Sequence, residues 1–444
     1  MKKKISRTRI IALGFILMIL VGSLLLMLPA ASADGQSADP VTALFTATSA
    51  SCVTGLIARD TATGWSLFGQ AVIIVLIQIG GLGFVTVATM FSMLLRRKMG
   101  LQEREIMTQS ISVDHIGGIL TLTKKIIAGT ALFEGAGTVL LALRFVPRFG
   151  WAKGLRFAAF HAISAFCNAG FDLMGYDTPY SSFTAYADDP LVILTLSALI
   201  TVGGIGFLVW DDLYKNKFRF KRYKLHTKLV LTVSAVLTFG GTLLFLIFEH
   251  SATGKDFGFG GEFLAALFDS VTARTAGFNS VDTAALSNAS KTLTVFLMFV
   301  GGSPGSTAGG MKTTTLAVLA VCSFNGIRRR ESKGIFGRRL EKDAIYNACS
   351  VVFVNFSLAF TGILLIAALQ PGFALSDVIF EAVSAIGTVG MTTGITRDLL
   401  PVCKLIIALL MYCGRVGSVS FALALLEKRA APLVKNPRES ISIG

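Results

Sequence analysis

The chain has 444 residues, of which 53% are hydrophobic and 15% charged, with a mean hydropathy of +0.68. That balance excludes an ordinary soluble domain and points to a polytopic membrane protein. The formal charge of +15 does not imply nucleic-acid binding, because no basic stripe carries interleaved aromatics.

The basic residues instead sit in short blocks between apolar runs, at 2–9, 96–98, 215–228, 328–342 and 428–438. Acidic residues gather in the alternate connections, as at Asp172, Asp177, Asp188 and Asp189. This positive-inside pattern predicts a multi-pass cell-membrane protein with both termini in the cytoplasm. The six cysteines, at 52, 167, 322, 349, 403 and 413, form no C-x-x-C pair and imply no disulfide framework.

In chain order, the first element is a 19-residue apolar run at 10–28, followed by Ala31-Ser32-Ala33 and Asp34. Three early lysines and the A-x-A resemble a signal peptide. The run is nevertheless long enough to span a bilayer, and the repeat below needs a helix there, so it is read as a retained first span. Further long spans are expected at 67–95, 122–145, 190–213, 228–249, 292–321, 344–369 and 401–426. Between the members of each pair lies a shorter apolar segment, too short to cross and therefore re-entrant or interfacial.

Those short segments repeat. They read Ala-Leu-Phe45-Thr-Ala-Thr-Ser-Ala50, Ala-Ala-Phe160-His-Ala-Ile-Ser-Ala165, Ala-Leu-Phe268-Asp-Ser-Val-Thr-Ala273 and Val-Ile-Phe380-Glu-Ala-Val-Ser-Ala385. Each runs into a loop with one glycine: Val53-Thr54-Gly55, Asn168-Ala169-Gly170, Thr275-Ala276-Gly277 and Thr388-Val389-Gly390. A second mark follows in the next helix, at Gly80, Gly203, Gly301 and Gly414, where close helix packing is the plain explanation for the first two.

The expected fold is thus all-α, with eight transmembrane helices and four re-entrant loops around one pseudo-fourfold pore. Its repeats span 1–99, 100–226, 227–343 and 344–444, the third with a broken second helix and the fourth carrying the C-terminal tail. Bare backbone at membrane depth survives only where protein buries it or it lines a wet cavity. Four such loops around one axis satisfy that condition together. Main-chain carbonyls coordinate a dehydrated K⁺ without a buried charge, and glycine permits the dihedrals that turn carbonyls inward.

On these residues the chain resembles the membrane subunit of bacterial Ktr-type potassium transporters, within the Trk/Ktr/HKT superfamily. The likeness covers nearly the whole chain and rests on Gly55, Gly170, Gly277 and Gly390, on the glycine-rich break in repeat 3, and on Arg415. It implies K⁺ uptake, with K⁺ held at the twelve loop residues just quoted and no organic cofactor. It also implies a homodimer and a cytosolic nucleotide-binding regulatory ring. A gate is implied at Gly301-Gly302-Ser303-Pro304-Gly305-Ser306-Thr307-Ala308-Gly309-Gly310 with Arg415, which replaces a glycine of the other repeats. Potassium channels carry two glycines per loop, so one per loop predicts fewer ion sites and looser discrimination against Na⁺. The basic loops are expected to meet that ring or anionic membrane lipid.

Other readings compete less well. Gly301-Gly302-Ser303-Pro304-Gly305 fits G-x-S-x-G, but of His115, His161, His226 and His250 only His161 lies in a membrane segment. Its counterparts Thr46, Asp269 and Glu381 mark it as a polar position behind the filter. The run 305–313 resembles a P-loop with an extra residue, but it lies inside a span. A secondary transporter with broken midplane helices is the main alternative.

Overall fold

The computed structural model describes residues 7–94, 108, 119–176, 178–217, 219–250, 252–253, 258–328, 335–338 and 340–417. In chain order its main helices are α1 (Arg7–Leu26), α2 (Pro40–Ser51), α3 (Leu67–Leu82), α4 (Phe84–Leu94), α5 (Ile119–Phe149), α6 (Trp151–Phe166), α7 (Pro190–Ile205) and α8 (Phe207–Asn216). They continue with α9 (Leu225–Glu249), α10 (Phe259–Thr272), α11 (Asn288–Phe299), α12 (Thr313–Ile327), α13 (Lys342–Leu369), α14 (Leu375–Gly387) and α15 (Pro401–Val416). Among the described residues, β pairing is limited to three isolated bridges.

Four helices, α1, α5, α9 and α13, are long and apolar enough to cross a membrane. Only 22–39% of their apolar windows is buried. Their uncovered faces are greasy, as at Val236, Phe239 and Leu243 of α9 or Phe353, Phe356 and Phe360 of α13. The short helices invert this pattern: in α14 every residue from Phe380 to Gly387 is buried. Alanine, serine and threonine dominate their C-terminal halves, and such small side chains let helix backbones approach closely. The short helices α2, α6, α10 and α14 are thus buried along most of their length, whereas the long ones keep an uncovered apolar face.

Starts are set locally. Asp39 and Asp189 cap α2 and α7 by accepting from the backbone N–H groups of Thr42 and of Leu191 and Val192, each just ahead of a proline at the first helical position. The Ala31-Ser32-Ala33 stretch is tied to the start of α3, since the Ser66 N–H donates to the Ala31 carbonyl at 2.9 Å and the Ala33 N–H to Gly64 at 3.1 Å. At the other end of α1, the Tyr412 hydroxyl of α15 donates to the Ala12 carbonyl at 3.0 Å.

The second helices differ from the expectation. The spans anticipated at 67–95 and 190–213 are not continuous: α3 breaks from α4 at Gly83 and α7 from α8 at Gly206, where φ is +84° and +104°. The α7–α8 pair bends by 95°. The third repeat is therefore not alone in interrupting its second helix. The cause is the last glycine of Gly80-Gly81-Leu82-Gly83 and Gly203-Gly204-Ile205-Gly206, which takes a left-handed conformation that ends a helix and that L-residues resist.

Candidate functional site

The four single-glycine loops share one backbone course. The glycines lie at φ of +96° (Gly55), +68° (Gly170), +83° (Gly277) and +97° (Gly390). Two residues earlier, Val53, Asn168, Thr275 and Thr388 are also left-handed, at +57°, +59°, +88° and +51°. For non-glycine residues this costs about 1–2 kcal/mol each. Sequence reasoning missed these four strained positions: nothing in Val or Thr announces them, and Asn168, of a type that tolerates this conformation, is a single weak mark.

The loops close on one another in order. An ideal Cβ on Gly55 would lie 2.5 Å from the Ala169 carbonyl oxygen, one on Gly170 2.6 Å from that of Ala276, one on Gly277 2.3 Å from that of Val389, and one on Gly390 2.1 Å from that of Thr54. Loop 1 thus abuts loop 2, loop 2 abuts loop 3, loop 3 abuts loop 4, and loop 4 returns to loop 1. No side chain fits between them. The twelve residues read as coordinating from sequence are brought into one closed ring, and all of them are buried.

A hydroxyl behind each loop fixes it. The Gly55 and Gly390 N–H groups donate to the Oγ of Ser49 and Ser384, both at 3.1 Å. In the other two loops the hydroxyl donates instead, Ser164 to the Phe171 carbonyl at 2.7 Å and Thr272 to the Phe278 carbonyl at 2.8 Å. These four residues were not singled out from sequence, although the signal is there: each lies four residues after the repeat phenylalanine. The polar positions next to those phenylalanines hold the chain just beyond the glycine. His161 Nε2 accepts from the Leu173 N–H at 2.9 Å, Asp269 accepts from the Ser280 hydroxyl, and Glu381 accepts from the hydroxyls of Thr392 and Thr396. The hydroxyl of Thr46, the fourth member, has no hydrogen-bond partner among the described residues.

On the side of the ring where the short helices end, the 301–310 segment runs irregularly between α11 and α12. A Cβ on Gly309 would lie 2.1 Å from the Thr388 Oγ1 and one on Gly301 3.2 Å from the Thr275 Cγ2. The segment is pinned to the end of α7: Ser303 N–H donates to the Gly204 carbonyl at 3.0 Å, Thr307 N–H to Gly203 at 3.2 Å, and Phe207 N–H to the Gly305 carbonyl at 2.7 Å. Ser306 donates to the Ser303 carbonyl at 2.7 Å, and the Lys312 ammonium donates to Ala308 at 2.8 Å and Gly309 at 3.1 Å. Lys312, part of the P-loop-like run, closes this turn by binding its carbonyls.

Arg415 reaches the same segment. Its guanidinium donates to the Thr307 carbonyl and to the carbonyls of Gly80 and Gly81 at the end of α3. One cation thereby joins α15, the end of α3 and the 301–310 segment. Another guanidinium, that of the buried Arg274, which was not noted from sequence, donates to the Thr238 hydroxyl at 2.9 Å.

The family described as "TrkH: Cation transport protein" matches residues 6–430. This chain belongs to that family. Over its full length it is 41% identical to the potassium/sodium uptake protein NtpJ of Enterococcus hirae, 98% of which is covered. Over 93% of its length it is 39% identical to the Ktr system potassium uptake protein B of Bacillus subtilis, 91% of which is covered. The fold resembles that of the potassium transporter TrkH from Vibrio parahaemolyticus, with a TM-score of 0.73 at 18% identity, over 96% of this chain and 86% of that one. As a member of this family the chain is a multi-pass membrane transporter of cations and not an enzyme.

Proposed function

We propose that the chain takes up K⁺ by channel-like permeation through the ring made by the backbone of its four single-glycine loops. The closed succession of carbonyl against glycine, loop to loop, is the observation that carries this reading. Oxygens at 53–55, 168–170, 275–277 and 388–390 would replace the hydration shell of K⁺, with no carboxylate needed in the path. The names of the relatives from Enterococcus hirae and Bacillus subtilis, a potassium/sodium and a potassium uptake protein, agree with that cargo.

In this reading the chain forms four repeats, 1–99, 100–226, 227–343 and 344–444, with eight passes and four re-entrant segments. Both termini are cytoplasmic by the positive-inside pattern. The 301–310 segment with Arg415 is the gate. The resemblance to Ktr-type transporters supplies the rest: a homodimer with one pore per protomer, a cytosolic nucleotide-binding ring that works the gate, and contact with membrane lipid. The bends at Gly83 and Gly206 also suit a secondary transporter that rocks about broken helices, but such a transporter has no use for a fourfold ring.

The test is growth. A bacterium lacking its own K⁺ uptake should grow on low K⁺ when it expresses this chain with a cognate cytosolic subunit. Failure to grow, with the protein present in the membrane, counts against K⁺ as the cargo.

A further inference from the structure

On the opposite side of the ring from Arg415, the chain beyond the glycines is gathered by one strap. Repeat 2 has a longer connection than the others, 33 residues from Gly170 to Gly203 against 24 or 25 elsewhere. From it, Tyr180 to Phe183 reach the post-glycine chain of the other three repeats. The Tyr180 N–H donates to the buried carboxylate of Asp60 in repeat 1 at 3.0 Å. The Ser182 hydroxyl accepts from the Asn279 N–H of repeat 3 at 3.2 Å, and the Phe183 N–H donates back to the Asn279 carbonyl at 2.9 Å. The Arg397 guanidinium of repeat 4 lies 4.5 Å over the Tyr180 ring.

The strap is also held against local preference. Tyr180 and Ser182 lie at φ of +64° and +47°, a conformation that persists only where surroundings enforce it. Asp60 is fixed for its part: it caps its own turn by accepting from the N–H groups of Ala62 and Thr63, and a Cβ on Gly175 would lie 2.2 Å from its Oδ2. Phe183 is fully buried, edge-on to Phe278, the residue after Gly277.

We propose that the strap Tyr180–Phe183 clasps the post-glycine chains of all four loops and thereby sets how sharply the ring discriminates among cations, with Tyr180, Asp60 and Arg397 as positioning residues. This rests on the reading of the ring as the filter. The physical reason is stiffness. The four quarters differ in sequence and are closed by no covalent bond, so a ring of carbonyls keeps a size suited to one ion only if its quarters cannot spread. Below the glycines, the short helices and Arg415 hold them. Above, the strap is the element that reaches every repeat.

The test uses the full chain with its cytosolic subunit in a K⁺-uptake-deficient bacterium, reading initial K⁺ and Na⁺ uptake and protein amount. Tyr180→Gly keeps the N–H to Asp60 and tolerates the positive φ, but removes the ring under Arg397. Arg397→Gln removes the other partner, an exposed side chain. Each should lower the K⁺-over-Na⁺ ratio by about two- to fivefold, the factor one exposed cation–π contact is worth. Maximal K⁺ rate and membrane amount should stay near wild type, and Tyr180→Phe should restore the ratio. Gly390→Ser, measured beside them, reads the ring itself. If Gly390→Ser changes the ratio while Tyr180→Gly and Arg397→Gln do not, the strap is packing and the proposal is overturned. If Gly390→Ser also changes nothing, the filter reading fails and the clasp fails with it. Should Tyr180→Gly not reach the membrane, Arg397→Gln alone decides.

Discussion

Gly390 carries two constraints at once. Its φ of +97° resists any side chain, and the Thr54 carbonyl stands 2.1 Å from where a Cβ would go. The first constraint alone is worth about 1–2 kcal/mol, roughly five- to thirtyfold in an equilibrium. Gly390→Ser should therefore raise the apparent KM for K⁺ by about tenfold and erode K⁺ over Na⁺. Substitution at Gly55, Gly170 or Gly277 should give the same class of defect, because each meets the next loop in the same way. Unchanged Rb⁺ uptake kinetics in all four variants would remove the filter. The hydroxyls behind the loops make a gentler case. Ser384→Ala deletes one buried hydrogen bond to the Gly390 N–H, worth about 1 kcal/mol. The K⁺-over-Na⁺ ratio should fall by about fivefold, less than for Gly390→Ser. A ratio at the wild-type value would mean that Ser384 does not hold the loop.

At the scale of elements, the 301–310 segment is held in place by a few polar contacts. Three backbone hydrogen bonds tie it to α7 and α8, and Arg415 ties Thr307 to the end of α3. The segment contains five glycines and one proline, so little helical propensity opposes its release. Deleting 303–309 should raise cation flux and make it less dependent on the cytosolic subunit. Arg415→Gln should do the same to a smaller degree, because it frees the Thr307 carbonyl but leaves the contacts to α7. Flux no higher than wild type from a normally inserted deletion protein would show that the segment is no gate. The sequence made this element legible because glycine and proline are visible against an apolar helix. Gly83 and Gly206 were less so, since a glycine within a long apolar run reads equally as close packing or as a break. The left-handed Val53 and Thr388 carry no local mark, because their φ is imposed by the ring. The strap was invisible for another reason: the Tyr180–Asp60 contact joins residues 120 apart in sequence, and only the assembled repeats bring them together.

At the scale of the whole molecule, the question is where its positive charge is spent. Part of it is neutralised internally. Asp211 pairs with Lys125 at 2.8 Å and with Lys215 at 2.5 Å, which ties up Lys215 of the 215–228 block and Lys125 of α5. The 220–228 connection also packs on the segment near 336, with the Phe220 and Phe336 rings 5.9 Å apart and the Lys228 ammonium 5.7 Å and 5.8 Å from their centroids. Two basic connections thus meet at Phe220, Lys228 and Phe336. Arg328 stacks on Phe324 at 4.1 Å, while Arg329 and Arg330 lie outside the described residues. Among the described residues no ion pair neutralises Arg328, which leaves its charge available to an acidic partner or anionic lipid. Charge reversal at Arg328, Arg329 and Arg330 should weaken co-purification with the cytosolic subunit and leave membrane insertion intact. Salt separates the two partners: at about 0.15 M the screening length is about 8 Å, so a docking that depends on these charges should loosen further as salt rises. A complex that survives both the reversal and moderate salt would assign the cluster to lipid, and the cytosolic ring would then have to dock elsewhere on this face.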